Sequence, residues 1–397
     1  MNRQQPVPIS GMGCICAAGK NLPDCMQALF TQAPAPAPPR SFPGAQHPVF
    51  EVPDGFLPAS NSQSPPMVRA VRLALAATNE ALADAGLTPA ALRQKRVGVV
   101  IGTNAGGGVS NRALQMDLGR IDCSYLSPAE RFLIVNPAQW LARHFDFSGP
   151  HVTIVNACSA GGDAIGIAGA WIRSGRCDVV IAGGTDALYE VTYYGFIALL
   201  NSDTAACKPF DVHRNGLNLG EGAAIMVLES EAMRTNRGKK ARAFLSGYGT
   251  AADAYHLTAP HPEGRGLRLA VEDALASAGV SPTDIAFINA HGTGTRENDR
   301  VESFLFHEVF SGVPFGSTKG FTGHTLGAAG AIEAAFTIAS LERQEMPANR
   351  GFDAPDPELP THPVARPTAI RGTTALSQTL AFGGNNSVLI ISTGSVA

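Results

Sequence analysis

Apolar residues in this chain fall into short runs set between longer stripes of helical spacing. The first run, VPISGMGCIC (Val7 to Cys16), predicts a buried strand. A weak signal peptide is the competing reading. One Arg precedes the run and two glycines interrupt it, which favours the strand. Residues 33–66 are rich in proline with small and polar residues between, and predict a surface loop or meander rather than a domain. Met67 to Ala85 carries a helical stripe that stops at Gly86. Thr88 and Pro89 then open a capped turn, and Val97 to Ile101 is the next strand. Further strands are expected at Asp178 to Ala182, Ala223 to Leu228 and Val388 to Ser392. Strands alternating with helices imply buried sheets covered by helices, an α/β class.

The pattern also repeats. ALADAGLTP (81–89) is matched by ALASAGVSP (274–282), and each copy leads into an apolar strand, VGVVIGT (97–103) and IAFINAHGT (285–293). The offset is 274 − 81 = 193 residues, near half of the 397-residue chain, so two similar halves are expected. Chance likeness between alanine-rich helices is the competing explanation. Hydrophobic residues at 45% and charged residues at 16% suit a globular protein with a large core. A net charge of −3 with no long basic block argues against nucleic acid as a partner. No apolar run approaches the roughly 18 residues of a membrane span. Seven scattered cysteines fit a reduced, cytoplasmic protein. Cys14 and Cys16 have no second ligand pair, so no metal site is expected from them.

Four stretches carry candidate chemistry. VNACSAGGDAIG (155–166) sets Cys158 between an apparent buried strand, His151 to Val155, and a helical segment of small residues. At such a strand-to-helix turn, free N–H groups and the helix dipole favour a thiolate. A small buried core cysteine would look the same. NAHGTGT (289–295) ends a strand on His291. STKGFTGHTLGAAG (317–330) places Lys319 and His324 before a helix of small residues. FGGNN (382–386) is a flexible turn before the last strand. Taken singly, each has a structural explanation. The glycine spacing of a nucleophile elbow, the phosphate loop and H-E-x-x-H are all absent, and the glycines of 102–108 lack dinucleotide spacing.

Together and in this order, the stretches resemble the elongating β-ketoacyl–acyl-carrier-protein synthases of the thiolase superfamily. NACSAGG, VVIAGGTDA (179–187), KPFDVHRNGLNLGEGAA (208–224), DAYHLTAPHPEG (253–264), NAHGTGTRENDRVE (289–302), STKGFTGHTLGAAGAIEA (317–334) and FGGNNS (382–387) carry the likeness over nearly the whole chain. It implies a thiolase fold of five layers (αβαβα) built from two duplicated halves, here 1–242 and 243–397. It also implies a site of Cys158, His291 and His324 that joins an acyl chain on Cys158 to malonyl units with loss of CO2. The resemblance makes the N–H groups of Cys158 and Phe382 the oxyanion donors and pairs Lys319 with Glu302. Thr293 and Thr295 match positions that meet the phosphopantetheine arm, Ala105 and Phe196 match positions beside the substrate, and Asp299 and Glu333 match supporting positions. Substrates ride on the phosphopantetheine of an acyl carrier protein, and no other cofactor is expected. The expected assembly is a homodimer, or a heterodimer with a chain-length-factor homologue.

Departures from the family pattern bear on partner and product. SPP (64–66) stands where many relatives carry a basic run, with only Arg69 and Arg72 following, so docking of an acidic carrier is expected to differ. Ala105 replaces a bulkier residue and suits a longer or stiffer acyl chain, pointing to polyketide or polyene assembly over fatty-acid synthesis. A non-catalytic, chain-length-factor-like scaffold is the alternative reading, but such factors lack the cysteine that this chain retains. A cysteine hydrolase would need a triad-like base and an activated water, for which two histidines are less suited than for holding an enolate.

Overall fold

A computed structural model describes residues 4–394 except 33, 41, 43, 59–66 and 105–135. Twelve strands are found among the described residues: β1 (Val7–Cys16), β2 (Val97–Gly102), β3 (His151–Ile154), β4 (Val179–Asp186), β5 (Gly222–Glu229), β6 (Ala243–Ala252), β7 (Phe287–Asn289), β8 (Phe315–Gly316), β9 (Glu345–Met346), β10 (Thr368–Ala369), β11 (Thr374–Ala381) and β12 (Asn385–Ser392). Ten of them form one ladder in the order β3-β2-β4-β5-β1-β6-β12-β11-β7-β8, while β9 and β10 pair separately.

The ladder holds the same motif twice. From its outer edge, the first half runs β3-β2-β4-β5-β1 and the second β8-β7-β11-β12-β6. In each, three parallel strands are followed by two antiparallel ones. The halves meet where β1 and β6 pair antiparallel, Val7 opposite Leu245. The sequence repeat falls on equivalent elements. Helix Arg69–Ala85 stops at Gly86 and helix Arg265–Ala278 at Gly279, both glycines left-handed. Each leads, through a short turn, to the second strand of its half.

Five layers follow from which faces are buried. Helix Arg69–Ala85 packs on β1, β4 and β5, and Arg265–Ala278 on β6 and β12. Both keep a polar outer stripe, and each buried Val or Leu contributes about 1.5–3 kcal/mol. Between the sheets lie helices Ala160–Arg173 and Ala329–Arg343, which touch strands of both halves and each other. Ala329 to Leu341 is buried on every side, as a central helix must be. Small residues permit this approach: a Cβ on Gly161 would stand 2.7 Å from the Gly327 carbonyl oxygen. One core cluster surrounds the central helices on both of their sheet-facing sides, and one lies under each outer helix layer.

One local expectation changes. The stretch before Cys158 is not a buried strand. Among the described residues β3 is an edge strand with His151 exposed, and Val155 beyond it is 60% exposed. Its β-branched residues cover the sheet edge, which sequence alone does not separate from an interior strand. Among the described residues, no helix is long and apolar enough to cross a membrane.

Candidate active site

Cys158 precedes Ser159, the N-cap of helix Ala160–Arg173. His324 precedes helix Ala329–Arg343, and His291 follows β7. Because both central helices start at the same end of the sheets, these three groups converge. A cavity of about 250 Å³ is lined by Cys158, His291, His324, Thr293, Thr295, Phe196 and Phe382, among others. Every residue singled out from the sequence as touching substrate is there except Ala105, which lies outside the described residues.

The turn that presents the sulfur is held against its own preference. Ala157 sits in the left-handed region at φ 48°, uncommon for a residue with a side chain. Asp163 secures it. Its carboxylate accepts from Asn156 Nδ2 at 2.6 Å, Ser159 Oγ at 2.9 Å and, across the halves, Tyr248 Oη at 2.9 Å. Sequence reading missed Asp163. A lone acid in the first turn of a helix of small apolar residues was the available signal.

Helix start or not, the resting sulfur is a thiol. Burial pushes Cys158 up to about 12, against the pull of the Lys319 ammonium and of the Phe382 N–H that it accepts. The expected resting thiolate is therefore corrected: desolvation at a 4% exposed position outweighs those groups. Gly383 and Gly384 explain how the Phe382 N–H reaches the sulfur. Both have positive φ, 86° and 78°, and a Cβ on Gly384 would stand 2.9 Å from that of Asp253. Gly383 N donates to the Leu257 carbonyl at 2.7 Å. The Phe382 ring stacks on Phe196, centroids 5.2 Å apart and planes 14° apart.

The imidazoles meet edge to face, centroids 5.0 Å apart. Leu326 N donates to His324 Nδ1 at 3.2 Å, and Lys319 Nζ lies 3.0 Å from His291 Nδ1. An ammonium only donates, so both Nδ1 atoms accept and the ring proton of each sits on Nε2. Burial, then the Lys319 charge, hold both rings well below the usual histidine range, His324 adding to the effect on His291. Each is a neutral Nε2–H donor. The His324 backbone is pinned on both sides, its N–H to the Asn218 carbonyl at 2.7 Å and its carbonyl to Gly220 N at 2.9 Å.

Lys319 is not paired as expected. Its ammonium bonds Glu333, the His291 carbonyl (2.6 Å) and His291 Nδ1, which accounts for its three protons. Glu302 instead accepts His291 N at 2.6 Å, Gly292 N at 2.7 Å, Asn298 Nδ2 and Gln378 Nε2 at 2.8 Å. Burial and Asp299 push Glu302 up to about 7, those donors holding it back. Burial likewise raises Glu333, with Lys319 opposing. Asp299 accepts from Thr293 N at 3.1 Å and Phe210 N at 2.7 Å, and shapes the turn that sets the Thr293 and Thr295 hydroxyls 2.9 Å apart. Asp186 was also missed. It joins Thr103 Oγ1, Asn104 N and Gly327 N, at 2.9, 2.7 and 2.7 Å, tying β2's exit to the turn below His324.

Lys319→Ala is expected to leave Glu333 buried and unpaired and to lower stability by about 3–5 kcal/mol in thermal unfolding. Losing that cation also lets both imidazoles rise toward their usual range. They then protonate at higher pH, and the acid limb of the pH–rate profile moves toward neutrality.

Two family models match this chain: the β-ketoacyl synthase N-terminal domain over residues 4–233 and the C-terminal domain over 242–353. The chain belongs to the β-ketoacyl synthase family. It is 33% identical to 3-oxoacyl-[acyl-carrier-protein] synthase 2 of Synechocystis, over 96% of this chain and 97% of the relative. It is 35% identical to the tetracenomycin polyketide synthase ketoacyl synthase alpha subunit of Streptomyces glaucescens, over 81% of this chain and 80% of that one. Among solved structures, the ishigamide ketosynthase/chain length factor superposes with a TM-score of 0.88 at 30% identity, covering 99% of this chain and 100% of that chain. A ketosynthase in complex with its chain length factor from Xenorhabdus doucetiae gives 0.85 at 32%, covering 98% of each. The thiolase fold and the condensing-enzyme class of acyltransferase stand on these likenesses and on the topology.

Proposed function

We propose that this β-ketoacyl synthase elongates acyl chains with Cys158 as the acyl acceptor and His291 and His324 as the donors that drive decarboxylation. One observation carries the assignment of roles: a single cavity collects the sulfur, the Phe382 turn and two neutral Nε2–H imidazoles. In the first half-reaction, the Cys158 sulfur attacks an acyl thioester on an acyl carrier protein. A C–S bond forms to Cys158, the bond to the pantetheine sulfur breaks, and the thiol proton leaves on that sulfur. Lys319, the helix start and the Phe382 N–H ease the charge that builds on the way. Neither ring is arranged as the base, since each Nε2 already carries its proton. The tetrahedral oxygen is met by the N–H groups of Cys158 and Phe382.

In the second half-reaction a malonyl thioester replaces the departed carrier. Its C–C bond to the carboxylate breaks, CO2 leaves, and the electron pair becomes an enolate whose oxygen accepts from His291 and His324. Uncharged donors suit this step, because they stabilise the developing oxyanion without first having to shed a proton. The enolate carbon then attacks the acyl carbonyl on Cys158, the C–S bond to Cys158 breaks, and the thiolate released takes a proton from solvent to return to the thiol. Thr293 and Thr295, which line the cavity, serve to meet the pantetheine arm, and Phe196 and Phe382, whose rings stack beside it, to gate the acyl pocket.

The proposed partners are an acyl carrier protein and a second ketosynthase-type subunit, either this chain or a chain length factor. The latter is favoured by the two superposing structures, a ketosynthase/chain length factor and a ketosynthase in complex with its chain length factor, and β3, at the sheet edge among the described residues with Val155 exposed beyond it, suits a subunit contact. Arg69 is committed within the fold, to Glu221 at 2.6 Å and to Asp54. The carrier must therefore find its cations elsewhere, on this chain or on the second subunit. Polyketide or polyene chains remain the proposed products. Incubated with acyl- and malonyl-loaded carrier protein, the protein, with its partner subunit if it co-purifies with one, is expected to release CO2 and form a β-ketoacyl-carrier product. Longer or unsaturated primers should be accepted at least as fast as short saturated ones. Absence of both CO2 release and extended product would leave the non-catalytic scaffold reading standing.

A further inference from the structure

Sequence spacing argued against a metal at Cys14 and Cys16, but the fold adds a third sulfur. Cys14 and Cys16 share one face of β1, opposite Ala224 and Gly222 of β5. The chain then turns back, Cys16 and Gly19 exchanging two backbone hydrogen bonds of 3.1 Å. Helix Leu22–Phe30, capped by Asn21, brings Cys25 onto the pair. Cys16 Sγ and Cys25 Sγ are 3.5 Å apart, and Cys25 Sγ is 3.4 Å from the Gly19 carbonyl. All three sulfurs lie within 4.8 Å of one another, and all three residues are fully buried. No disulfide joins them. The geometry points to a structural site for one thiophilic divalent cation of the zinc class, held by Cys14, Cys16 and Cys25.

Thiolate–zinc bonds of ~2.3 Å set sulfurs about 3.8–4.0 Å apart, so these sulfurs need move little. The scaffold around them is braced from one point. Glu80 accepts from Cys14 N and from Leu22 N, both at 2.8 Å, and so ties the strand to the start of the helix that carries Cys25. Charge selects the ion. Three thiolates leave one net negative charge with a divalent cation and two with a monovalent one, in a buried pocket already beside the Glu80 carboxyl. Thiolates exclude hard cations such as magnesium and calcium. Each thiol gives its proton to solvent as the metal–sulfur bond forms. In the turn between Cys16 and Cys25, Ala18 and Asn21 are partly exposed and Lys20 is exposed, so solvent reaches close to the cluster there. The cluster is separate from the cavity that contains Cys158, and the inference stands whether or not the roles proposed there hold.

The test uses the reduced full chain and Cd(II) as a spectroscopic probe, with Zn(II) and Cu(I) as competitors. One equivalent of Cd(II) is expected to bind with thiolate-to-metal charge-transfer absorption, to be displaced by Zn(II), and to raise the unfolding temperature. Elemental analysis of protein produced in zinc-supplemented medium should give one zinc per chain. Cys158→Ala is expected to keep that equivalent, while Cys16→Ala and Cys25→Ala lose it with a folded circular-dichroism spectrum. If either alanine variant does not fold, Cys14→Ser and Cys25→Ser carry the same readout. Absence of binding by the wild type would overturn the site. So would an undiminished equivalent in any folded variant of the three, its loss in Cys158→Ala, or Cu(I) binding that Zn(II) does not contest.

Discussion

Cys158→Ala is expected to abolish chain extension while leaving decarboxylation of malonyl-carrier protein measurable. Among the described residues lining the cavity, the sulfur is the one group that can hold an acyl chain as a thioester, and a methyl group in its place offers no atom to take it. The donors that stabilise the enolate lie elsewhere, on rings fixed by Leu326 N and by Lys319. Decarboxylation and acyl transfer therefore separate. The measurement is parallel: CO2 release from labelled malonyl-carrier protein, and intact-protein mass of the enzyme after incubation with acyl-carrier protein. The wild type should gain one acyl group and the variant none. Extension by the variant at the wild-type rate would remove Cys158 from the mechanism. The substitution is mild for the fold, since the helix start is held by Asp163 and Ser159 rather than by the sulfur. Thermal unfolding should confirm that.

What the sequence discloses here follows from how local the signal is. The duplicated core is legible because helix, glycine stop and strand recur as one unit, and Gly86 and Gly279 mark the same point in each copy. Cys158, His291, His324 and Phe382 are legible because each ends or begins an element inside a glycine-rich turn, where little else competes for meaning. Pairings that close over distance are not. Lys319 has two buried acids within reach of reason, Glu302 and Glu333, and only the packing of the central helix brings Glu333 to it. Depth is not legible either. The dipole argument for Cys158 is sound as far as it goes, yet the thiol is raised because the fold removes water from it, a quantity that no motif encodes. Asp163 and Asp186 were passed over for a related reason. A carboxylate that gathers side-chain donors, as Asp163 does, or backbone N–H groups, as Asp186 does, inside small-residue segments looks, in sequence, like an isolated polar residue. Cys25 is the same case, because its nine-residue separation from Cys16 says nothing until helix Leu22–Phe30 folds back on β1.

His291→Ala and His324→Ala are each expected to lose decarboxylation by about 10²–10³-fold, the typical cost of removing one oxyanion donor, while Cys158 still accepts an acyl group. The two variants should differ in their side effects. His324 Nδ1 is met only by a backbone N–H, so its loss leaves Leu326 N without a partner in a turn already strained at φ 52°. His291 Nδ1 is one of three partners of Lys319, and the ammonium keeps Glu333 and the His291 carbonyl when the ring is removed. Both effects on stability are therefore smaller than that of Lys319→Ala, which strands a buried carboxylate. Asparagine provides a sharper probe than alanine, because its amide can still donate toward the enolate oxygen. Partial recovery of CO2 release in His291→Asn or His324→Asn, with acylation of Cys158 unchanged in mass spectra, would identify N–H donation as the role. A variant that decarboxylates normally but leaves Cys158 unacylated would reverse the assignment, making the ring a partner of the thiol rather than of the enolate.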